Sequence, residues 1–190
     1  MGKLVKNKQE LVEKTLKEDI AYKGGFLVVK KDQVELPDGK TSFREYIHHP
    51  GAVAMLIFDD DNNIYMEYQY RHPVKKVVFE IPAGKLEWGE DPSLAAIREL
   101  KEETGITSTE LIKIGEMLNS VGYSDEIIHF YYAKIVSVGD TDLDDNEFIN
   151  VVKMPFSEVK EKVLKNEIKD SKTAFGVMLY DNLVKEGLIK

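Results

Sequence analysis

Residues 76–105 constrain the fold more tightly than any other stretch of this chain. Lys76-Val77-Val78-Phe79-Glu80-Ile81 reads as a β run, and it stops at Pro82-Ala83-Gly84. A short loop then leads to Asp91-Pro92, a good N-cap followed by a proline at the first helical position. Ser93 to Thr104, SLAAIRELKEET, is rich in helix formers, and Gly105 follows as a left-handed stop. A strand, a glycine loop and a helix punctuated at both ends are thus fixed in order.

The flanks extend the pattern. FLVVKKDQVELPDGKTSFREYIHH (26–49) holds two β runs split by Leu36-Pro37-Asp38-Gly39-Lys40, a turn in which proline presets φ and glycine accepts φ > 0. AVAMLIF (52–58) and IYMEYQY (64–70) are separated by the polar turn Asp59–Asn63. IIHFYYAKIVSV (127–138) reads as one long β run, DTDLDDNE (140–147) as an acidic loop and FINVVKM (148–154) as a strand. Pro155 to about Lys165 and Asp170 to Leu188 read as closing helices. Residues 1–20 carry Leu11, Val12 and Leu16 at helical spacing, which predicts a short, weak helix or a ragged start. Strands, one helix, strands and two helices make a mixed α/β (α+β) chain without the regular alternation of a doubly wound fold.

Composition narrows the function classes. The 190 residues contain no cysteine, so disulfides, thiolate-ligated zinc, iron–sulfur clusters and thiol nucleophiles are excluded. Twenty-six basic against 34 acidic residues give a net charge of −8, which argues against a nucleic-acid partner. A small phosphorylated ligand would need metal ions or a few placed arginines to offset the repulsion. The start of the chain lacks an apolar stretch of signal-peptide length, and no run approaches the roughly 20 apolar residues that span a bilayer. No membrane association and a cytoplasmic location are the expectations.

The helix carries an unusual charge pattern. On a wheel of about 100° per residue, Ala96, Ile97 and Leu100 share a core-facing arc, and Glu99, Glu102 and Glu103 group in an adjoining one. Glu99 and Glu103 are an i,i+4 pair of like charge, which costs a helix a few tenths of a kcal/mol. An E/K-rich helix is usually a solvated face, but here the acids are grouped rather than interleaved with lysine. That grouping suits divalent cations such as Mg²⁺, which take oxygen ligands.

Gly84, Glu90, Arg98-Glu99-Leu100, Glu102-Glu103 and Gly105-Ile106 stand at the spacing G-x5-E-x7-R-E-U-x-E-E-x-G-U, with U a bulky aliphatic residue. This resembles the Nudix box at every fixed position. The resemblance implies the Nudix fold, an α/β/α sandwich with a mixed sheet, and hydrolysis of a nucleoside diphosphate linked to another moiety with Mg²⁺ (Mn²⁺ as the alternative). It implies that Glu99 and Glu103 are the principal metal ligands, with Glu102 a further ligand or helper. Arg98 would orient the box carboxylates, Glu90 would support the metal shell, and the Ala83 carbonyl matches a backbone ligand. Residues 1–45 would form an N-terminal antiparallel β extension, a dimerisation element, and residues 46–190 the hydrolase domain.

Gln69-Tyr70-Arg71, Glu80-Ile81-Pro82-Ala83-Gly84, His49-Pro50-Gly51-Ala52-Val53 and Ile168-Lys169-Asp170-Ser171-Lys172-Thr173 resemble elements of the ADP-ribose pyrophosphatase branch. So does Ser120-Val121-Gly122-Tyr123-Ser124-Asp125-Glu126, except that Val121 replaces the branch's usual proline. The branch implies a small nucleoside diphosphate substrate and a homodimer. Asp145-Asn146-Glu147 resembles its mobile catalytic loop, in which Glu147 would reach the metals and Asp145 or Glu147 would orient the attacking water.

The chemistry follows. Metal ions neutralise an inert, charge-repelling diphosphate and lower the pKa of a bound water, and a loop carboxylate takes or orients its proton. Arg71 and Arg44 are candidate phosphate or sugar contacts, since arginine forks match phosphate oxygens. Glu126 would hydrogen-bond the terminal ribose or its neighbourhood. Trp88, Phe26 and Tyr22 are alternatives for stacking on the base, although Phe26 beside Leu27-Val28-Val29 also reads as core. The four histidines are not expected to form a metal cluster. The leading expectation is a pyrophosphatase that yields AMP and ribose 5-phosphate from ADP-ribose. The alternatives are another sugar nucleotide or a dinucleotide as substrate, and a non-catalytic ligand sensor.

Overall fold

The computed structural model describes residues 8–108, 111–143 and 148–189. The chain divides into two compact units, one running to His49 and including Ser120–Glu126, the other formed by Pro50–Asn119 and Ile127 onward.

The first unit is an antiparallel sheet of β1 (Lys14–Lys17), β2 (Ile20–Lys23), β3 (Val28–Glu35) and β4 (Thr41–His48). β3 and β4 pair along their whole length, from Val28 opposite His48 to Glu35 opposite Thr41. Gly39 closes their turn at φ +83°, the conformation for which glycine is suited. β1 and β2 lie along the other edge of β3, one at each end. The helix expected before residue 20 is therefore absent among the described residues: Lys8–Leu11 is one 3-10 turn and the chain then becomes strand. Isolated helices this short are marginal, and an open edge of β3 offers the backbone better hydrogen bonds. Residues 120–126 join this unit through a parallel bridge between Ile47 and Ser124, with Ile47 N–H donating to the Tyr123 carbonyl at 2.8 Å.

The second unit is built on a seven-stranded mixed sheet. Its strands are β5 (Ala52–Phe58), β6 (Asn63–Arg71), β7 (Lys76–Glu80), β8 (Ala83–Lys85), β10 (Leu111–Leu118), β11 (Ile127–Lys134) and β13 (Ile149–Pro155). The order is β10-β11-β5-β6-β13, with β8 on β5 and β7 on β6. Among the described residues β11 and β5 pair parallel, and the other pairs of this sheet are antiparallel. A small second ladder joins β9 (Ile106–Thr107) to β12 (Ser137–Val138). The β run expected over 127–138 is thus two strands in two sheets.

β5 is apolar at every position because both of its faces are covered. Val53, Met55 and Ile57 pack with Tyr131 under α1 (Pro92–Thr104), whose Ala95, Ala96 and Leu100 face them. Ala54, Leu56 and Phe58 pack with Phe130 and Tyr132 against Phe156 and Val159 of α2 (Phe156–Leu164) and Val177 and Tyr180 of α3 (Ser171–Lys185). One layer of helix on each face makes this unit the expected α/β/α sandwich. The wheel misplaced one residue: Ile97 is 51% exposed and Ala95 is buried in its stead. Small side chains bring α1 close to the sheet, and the buried arc shifts toward Ala95 and away from Ile97.

Candidate active site

Local rules position α1. The Asp91 carboxylate accepts the Ser93 N–H at 2.8 Å, Pro92 opens the helix, and Gly105 ends it at φ +67°. A Cβ at Gly105 would stand 2.2 Å from the Gly139 carbonyl oxygen, so glycine is required there twice over. Gly139 N–H donates back to the Gly105 carbonyl at 2.8 Å, and Asp142 N–H to the Glu102 carbonyl at 2.9 Å. The acidic segment is thereby tied to the end of the helix.

Arg98 organises the grouped carboxylates. Its Nε and Nη2 donate to the two oxygens of Glu90, both at 3.1 Å. Nη1 donates to Glu99 Oε1 at 2.7 Å and to Glu102 Oε2 at 2.9 Å. Nη2 also reaches the Lys85 carbonyl at 3.3 Å. The Glu90 bond, together with Glu99 and Glu102, raises the Arg98 pKa against the cost of burial. In return Arg98, with help from the Glu87 N–H, holds the Glu90 carboxyl below its ordinary range. The like-charge cost on the helix is offset by one guanidinium shared among three acids.

Gly84 forms the seat for Glu99. A Cβ there would lie 1.9 Å from Glu99 Cδ, so the carboxylate rests directly on the glycine backbone. Ala83 and Gly84 belong to β8, fixed opposite Ala54 and Val53 of β5. Glu103 is buried on the same helix. A hard divalent ion fits this chemistry, because Glu99, Glu102, Glu103 and the Ala83 carbonyl are all oxygen donors on one helix and its approach strand. Among the described residues no three Asp, Glu or His side chains form a closed ligand group, and none of the histidines joins one.

A second set of charges lies on β6 and β7. Arg71 Nε donates to Glu80 Oε1 at 2.8 Å, and Lys172 Nζ contacts the other Glu80 oxygen. Burial opposes the Arg71 charge, but Glu80 first, then Glu67 and Asp170, outweigh it and raise its pKa. The sequence shows Glu80 and Lys172 only as letters in family-like stretches. A lysine in the first turn of a helix gives no sign that it will be buried against a strand ninety residues earlier.

Arg44, Phe26 and Glu126 belong to the first unit. The Arg44 fork is held by both oxygens of Glu13, through Nε at 2.9 Å and through Nη2. Glu126 lies 3.6 Å from His49 Nδ1, and neighbouring Asp125 takes His48 Nδ1 at 2.6 Å and the His49 N–H at 2.8 Å. Phe26 is 54% exposed and meets His49 edge-on, so the core reading of that residue is overturned. Trp88 is likewise exposed. Asp145 and Glu147 lie outside the described residues.

A three-layer mixed sheet that carries an arginine-organised carboxylate helix above a glycine seat defines a class. The NUDIX domain profile matches residues 48–175, and a nucleoside diphosphate sugar hydrolase N-terminal domain profile matches residues 13–47. The chain belongs to the Nudix hydrolase family, whose members generally depend on a divalent metal. Among its relatives, the ADP-ribose pyrophosphatase of Bacillus subtilis is 41% identical over 171 residues, 89% of this chain and 92% of that protein. The methanol dehydrogenase activator of Bacillus methanolicus is 42% identical over 179 residues, 93% of this chain and 94% of that protein. A solved ADP compounds hydrolase shares the fold, with a TM-score of 0.77 at 18% identity over 93% of this chain and 97% of that one. No helix among the described residues is long and apolar enough to cross a membrane.

Proposed function

We propose that the chain hydrolyses the pyrophosphate bond of ADP-ribose, or of a related nucleoside diphosphate sugar, with Mg²⁺ (or Mn²⁺), giving AMP and ribose 5-phosphate from ADP-ribose. The observation that carries this reading is the carboxylate cluster of α1, gathered by Arg98 and seated on Gly84. The similarity to the Bacillus subtilis ADP-ribose pyrophosphatase over nearly the whole chain supports the substrate class.

In this mechanism Glu99, Glu103, Glu102 and the Ala83 carbonyl hold the metal, with Glu147 joining them. A bound divalent ion supplies charge neutralisation at the diphosphate and a more acidic water. Arg98 keeps Glu99 and Glu102 in register for that task. Arg71 steadies the diphosphate: its Nε is committed to Glu80, and among the described residues neither Nη atom has a hydrogen-bond partner. Asp145 or Glu147 takes the proton of the attacking water. A new P–O bond forms to the water oxygen while the bridging P–O bond breaks. Glu126 and Arg44 serve the ribose and phosphate, and Phe26 stacks on the base. Residues 1–45 act as the dimerising extension of a cytoplasmic homodimer, and residues 46–190 as the hydrolase domain.

A second reading keeps the chemistry and changes the substrate to another sugar nucleotide or a dinucleotide. Val121 favours it, since it stands where the branch carries a proline. A panel of sugar nucleotides and dinucleotides with Mg²⁺ and product identification decides between them. Preferential conversion of ADP-ribose to AMP and ribose 5-phosphate is expected, and an absence of preference would sink the ADP-ribose assignment. Sedimentation tests the dimer.

A further inference from the structure

Glu80 is 1% exposed, yet it accepts two cations, Arg71 from β6 and Lys172 from α3. The first turn of α3 is fixed around this point. Asp170 Oδ2 accepts the Thr173 N–H at 2.9 Å, the Thr173 hydroxyl at 2.6 Å and Lys172 Nζ at 3.1 Å. Thr173 Oγ1, fully buried, in turn accepts the Ile81 N–H at 2.9 Å. Two consecutive residues of one helix therefore grip the last residue of β7 and the one that follows it, on the way into Pro82-Ala83-Gly84.

A buried charge network of this kind is seldom a source of net stability, because desolvating the ions costs about as much as their attraction returns. What it does provide is direction. Glu80 takes Arg71 by Nε, the inner edge of the guanidinium, and Lys172 occupies the other Glu80 oxygen. Arg71 is thereby held at Nε, and its side chain remains 40% exposed. A fork held at its base and open at its tips is suited to two parallel bonds to a phosphate.

We propose that Lys172 is a positioning residue for the reaction. It fixes the Glu80 carboxylate, which fixes the Arg71 fork, while Asp170 and Thr173 hold the α3 turn that carries Lys172 against the strand. The proposal rests on the reading of Arg71 as a diphosphate contact.

The test uses the full chain and the best substrate from the panel, with kcat, KM and Tm measured for each variant. Lys172→Met keeps the stem and removes the charge. It is expected to raise KM about tenfold with kcat changed far less, as when a contact made equally in ground and transition states is weakened. In an Arg71→Met background the same change is expected to add less than about twofold, because there is no fork left to aim. If Lys172→Met folds poorly, Glu80→Gln combined with Lys172→Met removes both buried charges together, and the same rise in KM is expected. A lowered Tm with KM unchanged, or a KM penalty that multiplies independently of Arg71→Met, overturns the proposal while leaving Arg71 as a contact. A silent Arg71→Met overturns both, and a panel without any hydrolysed substrate overturns the hydrolase reading itself.

Discussion

Gly84 and Arg98 act on the same carboxylate. The glycine leaves room for Glu99, and the arginine turns it. Gly84→Ala would force Glu99 out of its seat, since a Cβ 1.9 Å from Cδ admits no small adjustment. The expected result is a protein that folds but needs much more Mg²⁺ to reach half-maximal rate, measured as activity against Mg²⁺ concentration. Glu103→Gln keeps the shape of a buried side chain and removes its charge. Turnover should fall by about 10²-fold or more with an unchanged circular dichroism spectrum, and retained turnover would remove Glu103 from the chemistry. At this scale the sequence was legible wherever spacing fixes contact. Gly84 and Glu99, fifteen positions apart, were linked as fixed positions of the box, and the structure seats one on the other. It was illegible for Lys172, Thr173 and the exposure of Phe26 and Trp88, because those depend on which distant element arrives beside them.

The helix α1 was the most readable element, since each of its boundaries is set by chemistry within four residues. Replacing Asp91 by Ala removes the acceptor for the Ser93 N–H and should cost about 1 kcal/mol. For a chain of this size that lowers Tm by about 2–4 °C, readable by calorimetry. Acid behaviour follows from Glu90, whose carboxyl Arg98 holds below its ordinary range. Its contribution to stability is present above the unfolded value of about 4.3 and is lost as pH falls through the lowered folded value. In Arg98→Gln the depression is gone, so Tm should fall less steeply between about pH 5 and pH 3 than in the parent protein. Three elements escaped local reading. β1 and β2 formed where Leu11, Val12 and Leu16 suggested a helix, because the edge of β3 was there to pair with. β10 (111–118) has isoleucines and leucines broken by Lys113 and Gly115, too irregular to mark a strand without β11 beside it.

At the scale of the whole molecule, the core and the chemistry are separate. Both apolar clusters of the sandwich close without a carboxylate ligand, α1 contributing Ala95, Ala96 and Leu100 to one of them. Chelation with EDTA is therefore expected to abolish hydrolysis and leave the circular dichroism spectrum intact; unfolding on chelation would show that the metal is structural. The net charge of −8 takes on a local meaning as well, since Glu90, Glu99, Glu102 and Glu103 lie together on the box loop and α1. The sandwich was implied by the resemblance to the Nudix box, and the unbroken apolar run of β5 is its physical basis, since helices cover both faces. The membership of residues 120–126 in the first unit was not, because nothing local marks a loop for a distant sheet.

The pairing of the sheet also sets the order in which the molecule can be made. β5 is complete by Phe58, but its parallel partner begins at Ile127, and β6 waits for Ile149 on its open edge. On the ribosome these two strands emerge early, each with one edge still open, and α1 can wind long before there is a finished sheet beneath it. Pairings so distant in sequence make for slow folding and a long exposure of sticky edges. One contact comes later still. The Ile81 N–H finds the Thr173 hydroxyl only when α3 has begun to form, so the segment that carries the chain into Gly84 is locked in place by a residue 92 positions further on.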